Sequence, residues 1–197
     1  MKPTENLTEP SATRLPDFGR RPRRVNLDQT IAVKGYGKLI IRPIRPADED
    51  EMVRFHEKLS EESIYMRYFE YLGLDRRTSH ERLLNICSNT PESYAVVVEQ
   101  PATTHRPASI LAVGRLTKTI DAFVTTFDTL IIDEEKGARL GKVLLNRLIK
   151  LAHAFGYKTL TRELLVADHD ALNLCRDRGF SLQTLPQVGL VRVSLDL

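Results

Sequence analysis

No stretch of this chain approaches the roughly 18 consecutive apolar residues that a membrane-crossing helix needs. The first thirty residues are polar and proline-containing, without the apolar segment of a secretory signal. These absences lead to the expectation of a soluble, cytoplasmic protein with no membrane partner. Cysteine is scarce: Cys87 and Cys175 lie far apart, outside any C-x-x-C pair, which argues against a disulfide framework and for reduced thiols. The five histidines, His56, His80, His105, His153 and His169, show no H-E-x-x-H or other ligand spacing. Asp168-His169-Asp170 reads better as a helix N-terminus than as a metal site, so no metal is expected.

With 197 residues, 42% of them hydrophobic, the chain is long enough for one domain with a sizeable core and too short for two comfortable ones. Its net charge of +3 is unevenly placed. Between Met1 and Arg24, Lys2, Arg14, Arg20, Arg21, Arg23 and Arg24 outweigh Glu5, Glu9 and Asp17, and the remainder carries 23 basic and 23 acidic residues. Residues 1–26, which include Pro3, Pro10, Pro16 and Pro22, are expected to form a disordered basic tail, with a domain over 27–197. The Arg-Arg-Pro-Arg-Arg cluster could hold a nucleic acid or an acidic partner electrostatically. The neutral body argues against that as the main role.

The apolar runs Thr30–Val33 and Leu39–Ile41 flank Gly35-Tyr36-Gly37 and predict a hairpin. Acidic residues followed by Met52, Val53, Phe55 and Leu59 predict a helix over Pro46–Leu59. Ser60 should cap a second short helix, and Leu83, Leu84, Ile86 and Cys87 place a third within Thr78–Cys87. Three β-rich runs follow, near Tyr94–Val98, Ile110–Leu116 and Phe123–Ile132, joined by short connections that suit antiparallel neighbours. A helix over Ala138–Phe155 ends at Gly156, and strand (Thr159–Val166), helix (Asp170–Arg178) and two strands (Phe180–Leu185, Leu190–Leu195) close the chain.

The segment Ile132-Asp133-Glu134-Glu135-Lys136-Gly137-Ala138-Arg139-Leu140-Gly141-Lys142 carries the most chemistry. A strand runs into a glycine-bearing loop that opens a long amphipathic helix. Such a loop aims unpaired N–H groups and the positive end of a helix dipole at one point, where a pyrophosphate could sit. Lys136, Arg139 and Lys142 add positive charge. The same pattern also serves as an ordinary strand-to-helix connection, and it matches neither a Walker loop nor G-x-G-x-x-G.

From about Leu39 onward, the element order resembles the GNAT superfamily of N-acyltransferases. Three segments carry the resemblance: Ile41-Arg42-Pro43-Ile44-Arg45-Pro46-Ala47-Asp48, the Lys136–Gly141 loop, and Asp168 to Arg178-Gly179-Phe180. The first of these, with Glu61-Glu62-Ser63-Ile64-Tyr65-Met66-Arg67-Tyr68-Phe69, is similar to the bacterial protein lysine acetyltransferase branch. The resemblance implies a mixed α/β fold: a mainly antiparallel central sheet, helices on both faces, and a splayed parallel strand pair. Acetyl-CoA or another acyl-CoA would lie in the splay, bonded to backbone around Leu130, Ile131 and Ile132 as an added strand. Its pyrophosphate would sit on Lys136, Gly137, Ala138, Arg139, Leu140, Gly141 and Lys142, with Asp168 nearby. The amine of an acceptor, on a small molecule or a protein lysine, would attack the thioester directly, a backbone N–H would stabilise the oxyanion, and a base would take the proton.

Several positions depart from the family pattern. Arg139 stands where the loop, Gln/Arg-x-x-Gly-x-Gly/Ala, has its first glycine, so its guanidinium either joins the phosphate site or blocks it; the sign of its charge favours the first. Thr126 falls where the lysine acetyltransferase branch has a glutamate base. Asp128, on the same strand face, and Glu163, on the next strand, are the alternative carboxylates, each of which could equally be a surface group. Cys175 aligns with the tyrosine that protonates the departing thiolate, and could act weakly as that acid or simply fill a buried helix face. Asp168 has a sufficient role as a helix N-cap. Tyr65, Arg67 and Phe69 are candidates for the acceptor side. The leading expectation is an acetyl-CoA-dependent N-acetyltransferase. The alternative is a non-catalytic acyl-CoA-binding regulatory module of the same fold, to which Thr126, Arg139 and Cys175 all point.

Overall fold

A computed structural model of the chain describes residues 15–22 and 25–197. The tail expected over residues 1–26 therefore lies largely outside the described residues. Eight strands form one sheet in the order β1-β2-β3-β4-β5-β6-β8-β7: β1 (Gln29–Val33), β2 (Gly37–Pro43), β3 (Ser93–Gln100), β4 (Ser109–Lys118), β5 (Val124–Ile131), β6 (Thr159–Leu165), β7 (Ser181–Leu185) and β8 (Leu190–Asp196). All neighbours are antiparallel except β5 and β6. The expected mixed, mainly antiparallel sheet with one parallel pair is what the chain adopts.

The predicted helix over Pro46–Leu59 is shorter and in two parts. Pro46–Asp48 form a 3-10 turn, and α1 runs over Glu49–Glu57. Asp48 accounts for the break, because its carboxylate accepts from the Arg45 backbone N–H at 2.8 Å and from Arg42 at 2.7 and 2.8 Å. Arg42 also donates to Glu99 at 2.6 Å, tying the end of β2 to β3 and to the start of α1. Next come α2 (Glu61–Tyr68), α3 (Leu74–Arg77), which the sequence reading did not anticipate, and α4 (His80–Ile86). The remaining helices are α5 (Ala138–Phe155) and α6 (His169–Asp177).

The helices occupy both faces of the sheet because residues on β4 alternate. Gly114 faces α5 so closely that an added Cβ would lie 2.8 Å from Leu144. Its neighbours Val113 and Arg115 face the cavity beneath α1 and α4. Leu140, Leu144, Leu148 and Leu151 repeat at helical spacing on α5 and are fully buried with Leu145. Each contributes on the order of 2 kcal/mol of gross burial energy. Gly156 ends the helix in the left-handed region, φ 98°, with its N–H returned to the Ala152 and His153 carbonyls.

The packed core reaches further toward the N-terminus than the expected boundary at residue 27. Phe18 is only 4% exposed. Its ring meets Phe155 edge-on at 4.9 Å and lies 5.0 Å from Tyr157 and 6.4 Å from Tyr94. A basic, proline-rich composition concealed one aromatic anchor, which burial against three rings holds in place. Phe18→Ala should lower the unfolding free energy by about 3 kcal/mol, read as a drop in the urea midpoint without a change in slope.

Candidate functional site

The parallel pair β5 and β6 holds together over three residue pairs only, Val124↔Thr159, Thr125↔Leu160 and Thr126↔Thr161. Beyond them β5 stays with β4 as far as Ile131, while β6 stays with β8 as far as Leu165. The sheet opens between them. Ile132 N–H donates to the Leu111 carbonyl at 3.1 Å, so on this edge the even-numbered residues face β4, and the N–H and C=O groups of Thr129 and Ile131 point into the opening. Of the expected backbone stretch Leu130, Ile131 and Ile132, only Ile131 faces the opening, and Thr129 joins it. Ile132 itself is buried in the core.

A cavity of about 650 Å³ fills this opening. Thr129, Leu130 and Ile131 form one wall, Arg162 and the first turn of α6 another, and Lys136, Gly137 and Gly141 the end nearest α5. Gly137 precedes α5 at φ 139° with no side-chain cap. Among the described residues no side chain caps the start of this 18-residue helix, which opens beside the cavity. Gly141 allows close approach of α6, since an added Cβ would lie 3.0 Å from Leu174.

The side chains of the loop behave differently from expectation. The Arg139 guanidinium turns away from the cavity and donates to the Lys34 carbonyl in the β1–β2 turn at 2.8 Å. It lines neither this cavity nor a second one beneath α1 and α4. The same turn is tied to the loop by Tyr36, whose hydroxyl donates to Glu135. Lys142 lies 3.8 Å from Asp177 on α6, Leu140 is core, and Lys136 pairs with Asp133 at 3.2 Å. Asp168 lines the cavity and caps α6 by accepting from Ala171 N–H at 3.1 Å. Cavity charge is nearly balanced, with Arg67, Arg162 and Lys136 against Glu62, Asp168, Asp170 and Asp177. Any affinity for phosphate there rests mainly on backbone N–H groups.

A second cavity of about 570 Å³ lies beneath α1 and α4 and shares Arg67, Thr129 and Leu130 with the first. Asp128 lines it, its carboxylate 2.7 Å from Arg67 and 3.6 Å from the nearly buried Arg162. Of the three proposed catalytic residues, Asp128 alone stands at a cavity wall. Glu163 faces away from Arg162 on β6 and makes a half-exposed ion pair with Arg192 at 2.7 Å. Cys175 is buried on α6, and burial pushes its thiol up to about 12. It lines neither cavity, and burial moves it away from the acidity of a proton donor. The Thr126 hydroxyl returns to the Thr117 carbonyl at 3.3 Å. Among the suggested acceptor-side residues Arg67 lines both cavities, whereas Tyr65 stacks on Tyr71 at 4.9 Å and Phe69 caps α2. Tyr68, under the guanidiniums of Arg67 and Arg82, is the aromatic residue at the second cavity besides Phe55.

Arg67 reaches the opening because α2 is pinned at its start. Ser60 caps the helix through Ser63 N–H at 3.2 Å, and Asp133 accepts from Ser60 N–H at 2.9 Å and the Ser63 hydroxyl at 2.5 Å. Burial opposes ionisation of Asp133, but the hydrogen bonds from Ser60, Ser63 and Lys136 outweigh it and hold the carboxyl below its ordinary value. No motif announced this clamp, or His56. The latter is 1% exposed, and burial, with Arg77 and Arg82 nearby, depresses it to about 4.

No family model matches the sequence. Solved structures do resemble the fold. The GNAT domain of S. lividans PAT superposes with a TM-score of 0.74 at 21% identity, covering 90% of this chain and all of that one. RimJ from Mycobacterium smegmatis, solved with CoA-disulfide, gives 0.68 at 11% identity over 90% of each chain. Spermidine N-acetyltransferase from Vibrio cholerae, solved with CoA and spermine, gives 0.62 at 17%, covering 80% of this chain and 95% of that one. The fold is that of the GNAT acetyltransferases.

Two outcomes test the site's construction. Asp133→Ala should cost about 1–2 kcal/mol and speed amide exchange selectively over α2. Because His56 titrates in the fold at about 4 rather than 6.5, the unfolded chain takes up its proton first as pH falls. Its contribution is full above 6.5, is lost between 6.5 and about 4, and stays lost below. His56→Leu should flatten the decline of the urea midpoint over that window.

Proposed function

We propose that this chain binds acetyl-CoA or a related acyl-CoA in the opening between β5 and β6 and transfers the acyl group to a primary amine, on a small molecule or a protein lysine. One observation carries the reading: the unpaired backbone of Thr129 and Ile131 and the uncapped first turn of α5 meet at a single cavity. An extended pantetheine arm needs free strand edge, and a pyrophosphate needs convergent N–H donors. The CoA and CoA-disulfide present in two structures of the same fold support that assignment.

Bound acyl-CoA would supply a thioester carbonyl whose carbon exchanges its bond to sulfur for one to the amine nitrogen, the amine losing a proton and the thiolate gaining one. The residues of the chain would orient and neutralise. N–H groups of β5 that face the opening hold the donor in line with the strand, and Gly137 and Gly141 let its phosphates approach the backbone of α5. The second cavity admits the amine, and Asp128, at the wall near Arg67 and Thr129, draws its proton away through water. Arg67 and Arg162 fix the Asp128 carboxylate in place.

A second reading has its own observation. Thr126 is turned into the sheet, Cys175 is sealed in the core, and Asp128 already holds two guanidiniums. An acyl-CoA-binding regulatory module needs no more than this.

Calorimetry and turnover separate them. Acetyl-CoA should bind the wild type, bind Gly137→Val at least about tenfold more weakly, ~1.4 kcal/mol, and bind Arg139→Ala within about twofold, a ratio worth ~0.4 kcal/mol. Asp128→Asn should leave that affinity unchanged and lower kcat by about a hundredfold. Binding without CoA release in the presence of amines would establish the module instead; absence of binding by folded protein would reject both.

A further inference from the structure

We infer that the acceptor is a primary amine that also bears an anionic group, a carboxylate or a phosphate, held by Arg76, Arg82 and Arg115 in the cavity beneath α1 and α4. This inference rests on the reading of the chain as an amine acyltransferase and supplies the substrate class of that same site.

The cavity is cationic in a way the fold alone does not require. Four guanidiniums line it, from Arg67, Arg76, Arg82 and Arg115, against the two carboxylates of Glu81 and Asp128. Among the described residues only Arg67 has a carboxylate within 4.0 Å, that of Asp128. Arg115 donates to neutral acceptors, the Ser93 hydroxyl at 2.8 Å and the Ile86 carbonyl, which leave its charge unbalanced and a second N–H on each terminal nitrogen. Arg82 lies over the Tyr68 ring, 5.1 Å from its centroid, with its Nε buried and unpartnered. Behind them the buried Arg77 donates to the His56 carbonyl at 3.2 Å, and its Nε also lacks a partner. A guanidinium cannot relieve burial by losing its proton, so the desolvated Arg77, Arg82 and Arg115 cost stability without a counter-ion until an anion reaches them, and the exposed Arg76 adds its charge beside them.

His56 gives an independent pointer. It lines the cavity, is almost fully buried, and neither ring nitrogen has a hydrogen-bond partner. A neutral imidazole offers one donor and one acceptor, which is unusual to leave unused at a cavity wall. An anionic oxygen can accept from it and from the neighbouring guanidiniums together.

The polarity is directional. Asp128 lies at the end shared with the acyl-donor cavity, beside Thr129 and Arg67, where an ammonium group would be received. The arginines without a carboxylate partner supply the complementary end. A zwitterionic amine satisfies both, whereas a polyamine would bring further positive charge to the arginines.

The test uses O-phosphoethanolamine and L-glutamate as anionic amines, and propylamine and spermidine as amines without an anionic group, each titrated calorimetrically into the full chain without acyl-CoA. At least one anionic amine should bind about tenfold or more tightly than propylamine and spermidine. Which of the two binds identifies phosphate or carboxylate. Arg82→Gln and Arg76→Gln, checked for folding by circular dichroism, should each weaken that binding several-fold and leave acetyl-CoA affinity unchanged. Equal or tighter binding of spermidine or propylamine, or anion binding unaffected by both substitutions, overturns the inference. If acetyl-CoA binds and no anionic amine does, this inference fails and the acyl-CoA reading stands. If an anionic amine binds with the stated arginine dependence and acetyl-CoA does not, the anion site stands and the transferase reading falls.

Discussion

Everything that makes this fold more than a sheet with helices follows from the early parting of β5 and β6. Parallel strands that paired along their full length would consume each other's backbone groups and leave a closed surface. Here pairing stops after Thr126↔Thr161, and each strand continues with its antiparallel partner on the outer side. Hydrogen-bonding capacity on the inner edge of β5 is thereby left unused by β6. Next to the last paired residue, the buried Phe127 lies 5.5 Å from the Phe180 ring and under the Arg162 guanidinium.

The opening is framed by elements held from a distance. Asp133, in the connection to α5, grips the first turn of α2 and brings Arg67 over the edge of β5. Arg139 and Glu135 grip the β1–β2 hairpin, so the loop at the helix start is braced by the far side of the sheet. Charged residues of the loop therefore act largely as structural ties, and the start of α5 presents backbone rather than free cationic side chains to the cavity. This arrangement also accounts for the tolerance of arginine at the fourth loop position: its side chain has another destination.

Much of the architecture was legible in the chain. The amphipathic repeat of α5, its terminating Gly156, the Ser60 cap and the hairpin at Gly35–Gly37 each have a local physical cause that sequence spacing displays. The site was legible only in outline. Leu130, Ile131, Lys136, Gly137, Gly141, Asp168 and Asp128 all reach a cavity, whereas Arg139, Glu163 and Cys175 do not take the places expected of them. Phe18, His56 and the arginines of α3 and α4 carried no recognisable motif, because what distinguishes them is the company they keep after folding.

Local patterns along the chain set the order and kind of the elements, the glycine-bearing start of α5, and the alternation that puts Asp128 on a different face from Phe127. These are consequences of short-range sterics and periodicity, which act between neighbours in the chain. Only the tertiary structure decided where the charges go: Arg139 to a turn about a hundred residues away, Glu163 to Arg192, Asp128 to Arg67 and Arg162, and His56 to a buried wall among arginines. Long charged side chains have many rotamers and no preferred direction of their own, so their partners are selected by which backbone segments packing brings within reach.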